Sequence, residues 1–515
     1  MAQPAVTARE SERPRAAPFA ALLACVGAAT VVAVAAGRTP LLALLPVTLA
    51  TALYAVARAP LRASAAALVF AVLSLDISAD AGGMWRTPLA ALGDLLQDNL
   101  ERSAGIPGVG LNGVDVGALL LLGVAALRKR SALDREGAVP APRVIGAFLL
   151  LHLAGLLYAE LVGLAAGAPV AIWKLHQLLQ VPLLAVLFLA AFRGPRDHRL
   201  LARIVVLAAC VKALLAVWVQ RVAAPALTGG KLAYATSHGD SVLFAVAAFI
   251  LFADLAAVRD RRGAVKKLVL LGVVLLGMHE NARRTAWVML TMSAVAAYAI
   301  APMSSWKRAM HRRVLLAAPL VVLYAAVGWD RGGRLFAPIQ TFRTLSDSTM
   351  DSSTRWREIE NWNLAMSIRE RPILGIGLGQ EYTEFVRGDD ISSAFADYRA
   401  WPHNSTLGLL LFAGPIAYTA VMALFGLVVF LAVRSYRRAL QPEDRVAALA
   451  CVATVISCGV LAFGDTGVHY AQYRVLLALS IGVSAKLAVA TGAWPTPLRR
   501  TKDVRTTVGA AARSS

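Results

Sequence analysis

The chain has 515 residues, 58% of them hydrophobic and only 16% charged, against roughly 45–50% and about 25% in ordinary soluble domains. With a mean hydropathy of +0.62, this excludes a soluble multidomain enzyme. It also carries 52 Lys and Arg against 31 Asp and Glu, a formal +21. That excess suits a nucleic-acid binder when taken alone, but together with the hydropathy it suits a polytopic membrane protein with basic cytoplasmic loops.

A spanning helix needs about 20 predominantly apolar residues. Fourteen candidate runs occur: Pro18 to Gly37, Pro40 to Ala57, Ala63 to Leu75, Val114 to Leu127, Val144 to Ala166, Pro169 to Phe192, Ile204 to Val222, Ser241 to Val258, Ala264 to Met278, Thr285 to Met303, Val314 to Trp329, Ser405 to Val433, Val446 to Gly464 and Val475 to Ala493. Several are short, so the expected fold is an all-α transmembrane bundle of 12 to 14 spans with one long extracytoplasmic loop. The first run follows Arg9, Arg13 and Arg15 and ends near Val34-Ala35-Ala36. It is longer than the roughly 7–15 residues of a signal-peptide core and reads as an uncleaved anchor. The cysteines, Cys25, Cys210, Cys451 and Cys458, all lie in apolar runs, where a thiol packs as a small hydrophobe.

Lys and Arg alternate between loops as the positive-inside rule requires. With the N-terminus inside, the inside segments hold 32 basic and 9 acidic residues, including Arg128, Lys129 and Arg130, then Lys307 and Arg308, then Arg437 and Arg438. No inversion interrupts the alternation. The expected layout is a cytoplasmic tail over 1–17, a membrane domain over 18–493 and a basic cytoplasmic tail over 494–515, in a bacterial inner membrane with both termini cytoplasmic. Most of the five charges within spans, Glu160, Lys174, Lys212, Asp254 and Lys486, sit within about a turn or two of a span end, where long side chains reach the interface.

Two outside segments stand out. Ile77 to Gly113 is Gly-rich and net acidic. Asp330 to Pro402 is larger, and within it Ser353 to Arg371 spaces Trp356, Ile359, Trp362, Asn363, Met366 and Ile368 near helical periodicity. That pattern predicts an amphipathic helix at the membrane surface, stopped by Pro372.

Three clusters carry polar chemistry. Met278 to Trp287 contains His279-Glu280, but Arg283 stands where a zinc helix needs its second His. What remains is Arg283 and Arg284 on the side where Arg is disfavoured, each a permanently charged fork of donors suited to phosphate. His403, in Trp401 to Leu407, is of the residue type suited to a general base at neutral pH. Gly375, Gly377 and Gly379 form a run that follows no predicted strand, so it is no dinucleotide fingerprint. Its amides nonetheless suit an anion.

The order of these elements resembles the O-antigen ligase and Wzy-type polysaccharide polymerase superfamily. The residues that carry the resemblance are Arg284 opening a helix, Arg355 with Glu358 as Arg-x-x-Glu, Pro372 to Gly379 as Pro-x-x-Gly-x-Gly-x-Gly, and His403-Asn404 with Leu407. Family members usually read Ser-Arg-Gly-Ala at the first site. This chain reads Arg283-Arg284-Thr285-Ala286, so either arginine fits the functional position.

The resemblance implies a metal-independent, cofactor-free membrane glycosyltransferase with an extracytoplasmic active site. Its donor would be an undecaprenyl-diphosphate-linked glycan and its acceptor a hydroxyl of a glycan or lipid. His403 would be the base and Arg284 the catalytic cation. Arg283, Arg284 and Arg355 would hold the diphosphate, with Asn404, Glu358 and the three glycines in support. Polymerase is preferred slightly over ligase, since no feature suggests a lipid A-core site. The competing reading is a secondary transporter of a small anion. No nucleic-acid partner is required. Reporter fusions within Asp330 to Pro402 are expected to give an extracytoplasmic signal, and a cytoplasmic signal would remove His403 from any outward-facing donor.

Overall fold

The computed structural model describes residues 54, 59–75, 89–100, 110–127, 138–168, 176–257, 260–331, 333–336, 339, 343, 352–388, 390–392 and 397–495. The first two predicted spans, apart from Tyr54, lie outside these residues, as do Cys25, Lys174 and both tails beyond residue 495. Residues 1–64 and 65–515 form separate compact units. The first contributes only Tyr54 and residues 59–64 to the description, and apart from the opening turn of the first helix everything below concerns the second.

Among the described residues every named element is helical. In chain order these are α1 (Leu61–Ser74), α2 (Ala90–Gln97), α3 (Gly113–Leu127), α4 (Arg143–Ala165), α5 (Gln180–Ala191), α6 (Pro195–Trp218), α7 (His238–Leu255) and α8 (Arg261–Glu280). They continue with α9 (Arg284–Ile300), α10 (Ser305–Gly328), α11 (Ser352–Glu370), α12 (Ser405–Arg438), α13 (Pro442–Gly464) and α14 (Ala471–Ala490). Short 3₁₀ turns precede α5 and α14, and a π turn, Val219–Ala223, continues α6. Local chemistry sets several starts. Ser237, Asp260, Ser304 and Asn404 each accept an N–H three residues on, the usual device for an orphan helix donor. Pro195 and Pro442 occupy a first turn, where a missing N–H costs nothing.

Seven of these helical stretches are long and apolar enough to cross a membrane: Arg143–Ala165, Pro195–Ala226, His238–Leu255, Lys307–Gly328, Ser405–Arg438, Pro442–Gly464 and Ala471–Ala490. The chain is therefore a multi-pass, all-helical membrane protein as far as it is described. α14 lies almost wholly inside the bundle with α7 close behind, whereas residues 308–327 of α10 include no buried residue. Such an all-round apolar, exposed helix is unfavourable in water and ordinary in lipid. α12 packs along α4 and α13, and α13 packs against α7 and α9. Cys210, Cys451 and Cys458 are buried free thiols, as their apolar surroundings suggest.

One irregularity positions everything that follows. α12 breaks at Gly414, whose φ is +69°, directly before Pro415. Pro415 has no N–H for the carbonyl of Leu411, and the break withdraws the partner of Phe412 as well. The Gly loop replaces both donors: Ile376 N–H bonds Leu411 O and Gly377 N–H bonds Phe412 O, each at 3.0 Å, while Leu378 N–H reaches Ala159 O of α4 at 2.9 Å. Gly375, Gly377 and Gly379 all have positive φ. A Cβ on Gly377 would lie 2.2 Å from the backbone nitrogen of Gly163, another glycine. The amides of Ile376, Gly377 and Leu378 are thus committed to helix carbonyls. Gly377→Ala is expected to destabilise the fold by about 2 kcal/mol or more, read as a lowered unfolding midpoint in detergent, while Gly426→Ala, with open space around its Cβ position, leaves the midpoint nearly unchanged.

Candidate functional site

At one end of the bundle the N-termini of α7, α9, α12 and α14 meet the C-termini of α8 and α13, and α11 lies beside them. The predicted amphipathic helix over 353–371 is α11, ending before Pro372. Its inner face carries Glu360, Asn363, Leu364 and Ser367, while Arg355, Glu358, Trp362 and Arg369 face outward. Asn363 donates to Val386 O at 2.8 Å and accepts from Val386 N–H at 2.9 Å, and Ser367 Oγ accepts from Thr383 N–H at 3.1 Å. These bonds clamp the segment that follows the Gly loop onto the helix.

His403 is held by Glu360. Its backbone N–H donates to both carboxylate oxygens at 3.1 Å, and its Nδ1 stands 3.4 Å from Oε1. The Glu360 side chain is 1% exposed and that of His403 24%, so the carboxylate is sealed behind an imidazole that still has an open side. Trp356 meets the imidazole edge-on, with centroids 4.7 Å apart. Asn404 does two jobs: its Oδ1 accepts from Leu407 N–H to start α12, and its Nδ2 donates to Asn361 Oδ1, both at 3.0 Å.

A second chain of groups runs alongside. Asp465, at the end of α13, places Oδ2 2.6 Å from His238 Nδ1. His238 Nε2 meets the guanidinium of Arg283. An arginine can only donate, so Nε2 accepts and the ring proton sits on Nδ1, facing Asp465. Arg283 also donates to Thr236 O at 3.2 Å and stacks over Tyr234 at 4.0 Å from the ring centroid. It is buried, whereas Arg284 is exposed at the first residue of α9. A cation there opposes the positive end of the helix dipole, a cost that packing does not explain. Ser405 Oγ donates to Asp465 O at 3.2 Å and so ties the two chains together. Burial alone would raise the Asp465 carboxyl. The bond from His238, the nearby imidazoles of His238 and His403 and the Thr466 N–H outweigh it and hold the group well below the usual carboxylate range.

Below the site, Trp401 covers His469 with centroids 4.0 Å apart. Burial pushes the His469 imidazole down to about 3, Arg474 adds to the shift, and Asp465 and Asp397 only partly oppose it. Arg474 is itself enclosed and holds the Val468 carbonyl at 2.8 Å and Gln180 Oε1 at 2.7 Å. An apolar cavity of about 150 Å³ runs from Trp401, Pro402 and Ser405 between α4, α12, α13 and α14 toward Phe425.

The structure therefore brings His403, Asn404 and Arg283 to one end of the bundle, and Arg284 follows Arg283 at the first residue of α9. Arg355 and Glu358 are exposed, and the three glycines lie beneath as scaffold. Arg-x-x-Glu occurs twice in this stretch, and the second copy, Arg357 with Glu360, faces inward. Arg357 is close enough to His238 to act on it electrostatically. Sequence reasoning missed Glu360, His238, Asp465 and Arg357. The repeated motif signalled two of them, and the polar run Thr236 to Asp240 before a span signalled His238. Among the described residues, no group of three His, Cys, Asp or Glu is placed to hold a metal ion. Compared with known proteins, the chain matches no protein-family model and no curated protein.

Because His469 is held neutral in the fold but takes up a proton near pH 6.5 when unfolded, its contribution to stability is complete above about 6.5 and is lost as pH falls toward 3. Below about 3.9 the Asp465 contribution is lost too. Unfolding midpoints in detergent, followed by Trp fluorescence, are expected to fall steadily from neutral to acid pH, with a shallower fall between 6.5 and 4 in His469→Gln.

Proposed function

We propose that the chain is an integral-membrane glycosyltransferase of the O-antigen ligase and Wzy-type polymerase kind. In this reading it crosses a bacterial inner membrane 12 to 14 times, has both termini cytoplasmic, and acts on the outer face with 330–402 as its long external loop. It uses an undecaprenyl-diphosphate-linked glycan as donor and a glycan or lipid hydroxyl as acceptor, without metal or cofactor. The observation that carries the reading is the juxtaposition of a carboxylate-backed imidazole, a group of arginines and an apolar slot at one end of a membrane bundle. An amphipathic lipid diphosphate sugar needs all three.

The chemistry follows from the geometry. His403, oriented through Nδ1 by Glu360, takes the acceptor hydroxyl proton on Nε2 as that oxygen bonds to the anomeric carbon. The bond from this carbon to the diphosphate oxygen breaks, and the leaving group carries the electron pair away as negative charge. Arg284, exposed at the mouth, and Arg357 stabilise that charge, and Arg283 contributes from its fixed seat against His238. Asp465 keeps His238 in the tautomer that accepts from Arg283, so both act as positioning residues. Arg355 and Glu358 stand outside this constellation, and the glycines shape it without binding phosphate. Polymerase remains the preferred form, for want of any feature suited to a lipid A-core acceptor.

One observation favours the transporter reading. Lys212 and Asp240, both fully buried, pair at 3.2 Å between α6 and α7, and ionisable pairs at membrane depth often mark ion pathways. The two readings part on one variant. His403→Ala is expected to lower glycan transfer by roughly 10²–10⁴-fold with solute uptake unaltered. Normal polysaccharide with lost uptake would overturn the transferase.

Glu360→Gln and Arg284 variants probe the constellation itself. Glu360→Gln should lose about tenfold or more in transfer rate and shift the pH–rate profile, since its carboxylate orients the base. Arg284→Ala should lose more activity than Arg284→Lys, and wild-type activity in both would reduce Arg284 to an anchor.

A further inference from the structure

At the end of the bundle opposite His403, helices α6, α7, α8, α13 and α14 part to leave a second cavity of about 660 Å³, within the roughly 300–1,000 Å³ of small-molecule sites. Its depth is apolar, lined by Val206, Ile250, Ala450 and Leu476, and its rim carries Arg199, Arg203, Lys266 and Lys267. Arg199 is neutralised by Glu443, and Lys267 by Asp254 at 2.7 Å. Arg203 and Lys266 are exposed and form no ion pair among the described residues. A third group points to a ligand. His198 lines the cavity at 7% exposure, and neither ring nitrogen has a hydrogen-bond partner; its nearest carboxylate, on Asp444, is 3.8 Å away.

Buried polar atoms without partners are costly and rare in native folds. Here one lies below two uncompensated cations and above an apolar slot. A hydrated inorganic anion satisfies the rim but gains nothing from the slot, and a neutral lipid fills the slot but leaves the rim unneutralised. This end of the bundle is also the one that the Lys and Arg bias assigns to the cytoplasm, where anionic headgroups meet basic pockets between spans.

We propose that this cavity binds one anionic glycerophospholipid, its phosphodiester between Arg203 and Lys266 with His198 donating to it, and an acyl chain along Val206 and Leu476. The site is independent of the transferase reading and shares no residue with it.

Native mass spectrometry of the full-length protein in detergent, with equal amounts of phosphatidylglycerol and phosphatidylcholine, tests the proposal. The wild-type protein should retain a single phosphatidylglycerol with about tenfold preference. Arg203→Gln/Lys266→Gln, which alters only the exposed rim, should bring the two lipids to parity. Val206→Trp, which fills the slot, should lower retention of both lipids. Equal retention by the wild-type protein, or an unchanged preference in the double variant, would overturn the proposal. Displacement of phosphatidylglycerol by millimolar inorganic phosphate would assign the site to a soluble anion and overturn it as well.

Discussion

A helix in an apolar medium cannot leave a carbonyl unpaired without a cost of several kcal/mol, and the break at Gly414–Pro415 leaves two. The carbonyls of Leu411 and Phe412 are taken by the amides of Ile376 and Gly377, so the break serves as a socket. Because the loop is seated there, the chain after it runs along α11 and is clamped by Asn363 and Ser367. Because α11 is clamped, Glu360 faces the turn that carries His403. The position of the imidazole therefore rests on a backbone exchange between a glycine loop and a broken span, several residues from any chemistry.

Burial sorts the arginines of this site into distinct tasks. Arg283 is enclosed, with an aromatic ring, a carbonyl and an imidazole around it, so its direction is fixed before any ligand arrives. Arg284 is its neighbour in sequence and its opposite in setting, exposed where the helix dipole disfavours it. Under the proposed transfer, a buried, fixed cation beside an exposed one is a sensible arrangement for a leaving group whose charge grows during reaction, since preorganised donors need no rearrangement at the critical moment.

The helices were legible in the sequence because apolar runs are read one segment at a time, and seven of the helical stretches are long and apolar enough to cross a membrane. The predicted runs from Ala63 onward each contain a helix, with ends displaced by a few residues where Ser237 or Asn404 supplies a cap. α11 was legible for the same reason. The site was only partly legible. His403, Asn404 and Arg283 emerged from local pattern, but Arg355 with Glu358 was preferred to Arg357 with Glu360, two residues on. On a helix that offset is about 200° of rotation, which decides between solvent and site and is invisible without the partner surface. His238 and Asp465 lie 227 residues apart, and nothing in a single sequence pairs them. The glycines' signature of tight backbone approach does not say what approaches, and in the fold Gly377 meets the backbone of α4 at Gly163.

Asn404 and Asp465 give the site an order of assembly. Synthesis delivers Thr236 and His238 first, then Arg283, then α11 with Glu360, then His403, and Asp465 only at the end of α13. Asn404 spends one end of its amide on starting α12 and the other on Asn361, so the first turn of that helix and the docking of α11 are settled together. Until Asp465 arrives, the Nδ1 proton of His238 lacks its carboxylate acceptor. A growing chain therefore carries the early groups of the candidate site without the carboxylate that ties them together, and the arrangement closes only once the end of α13 has been made.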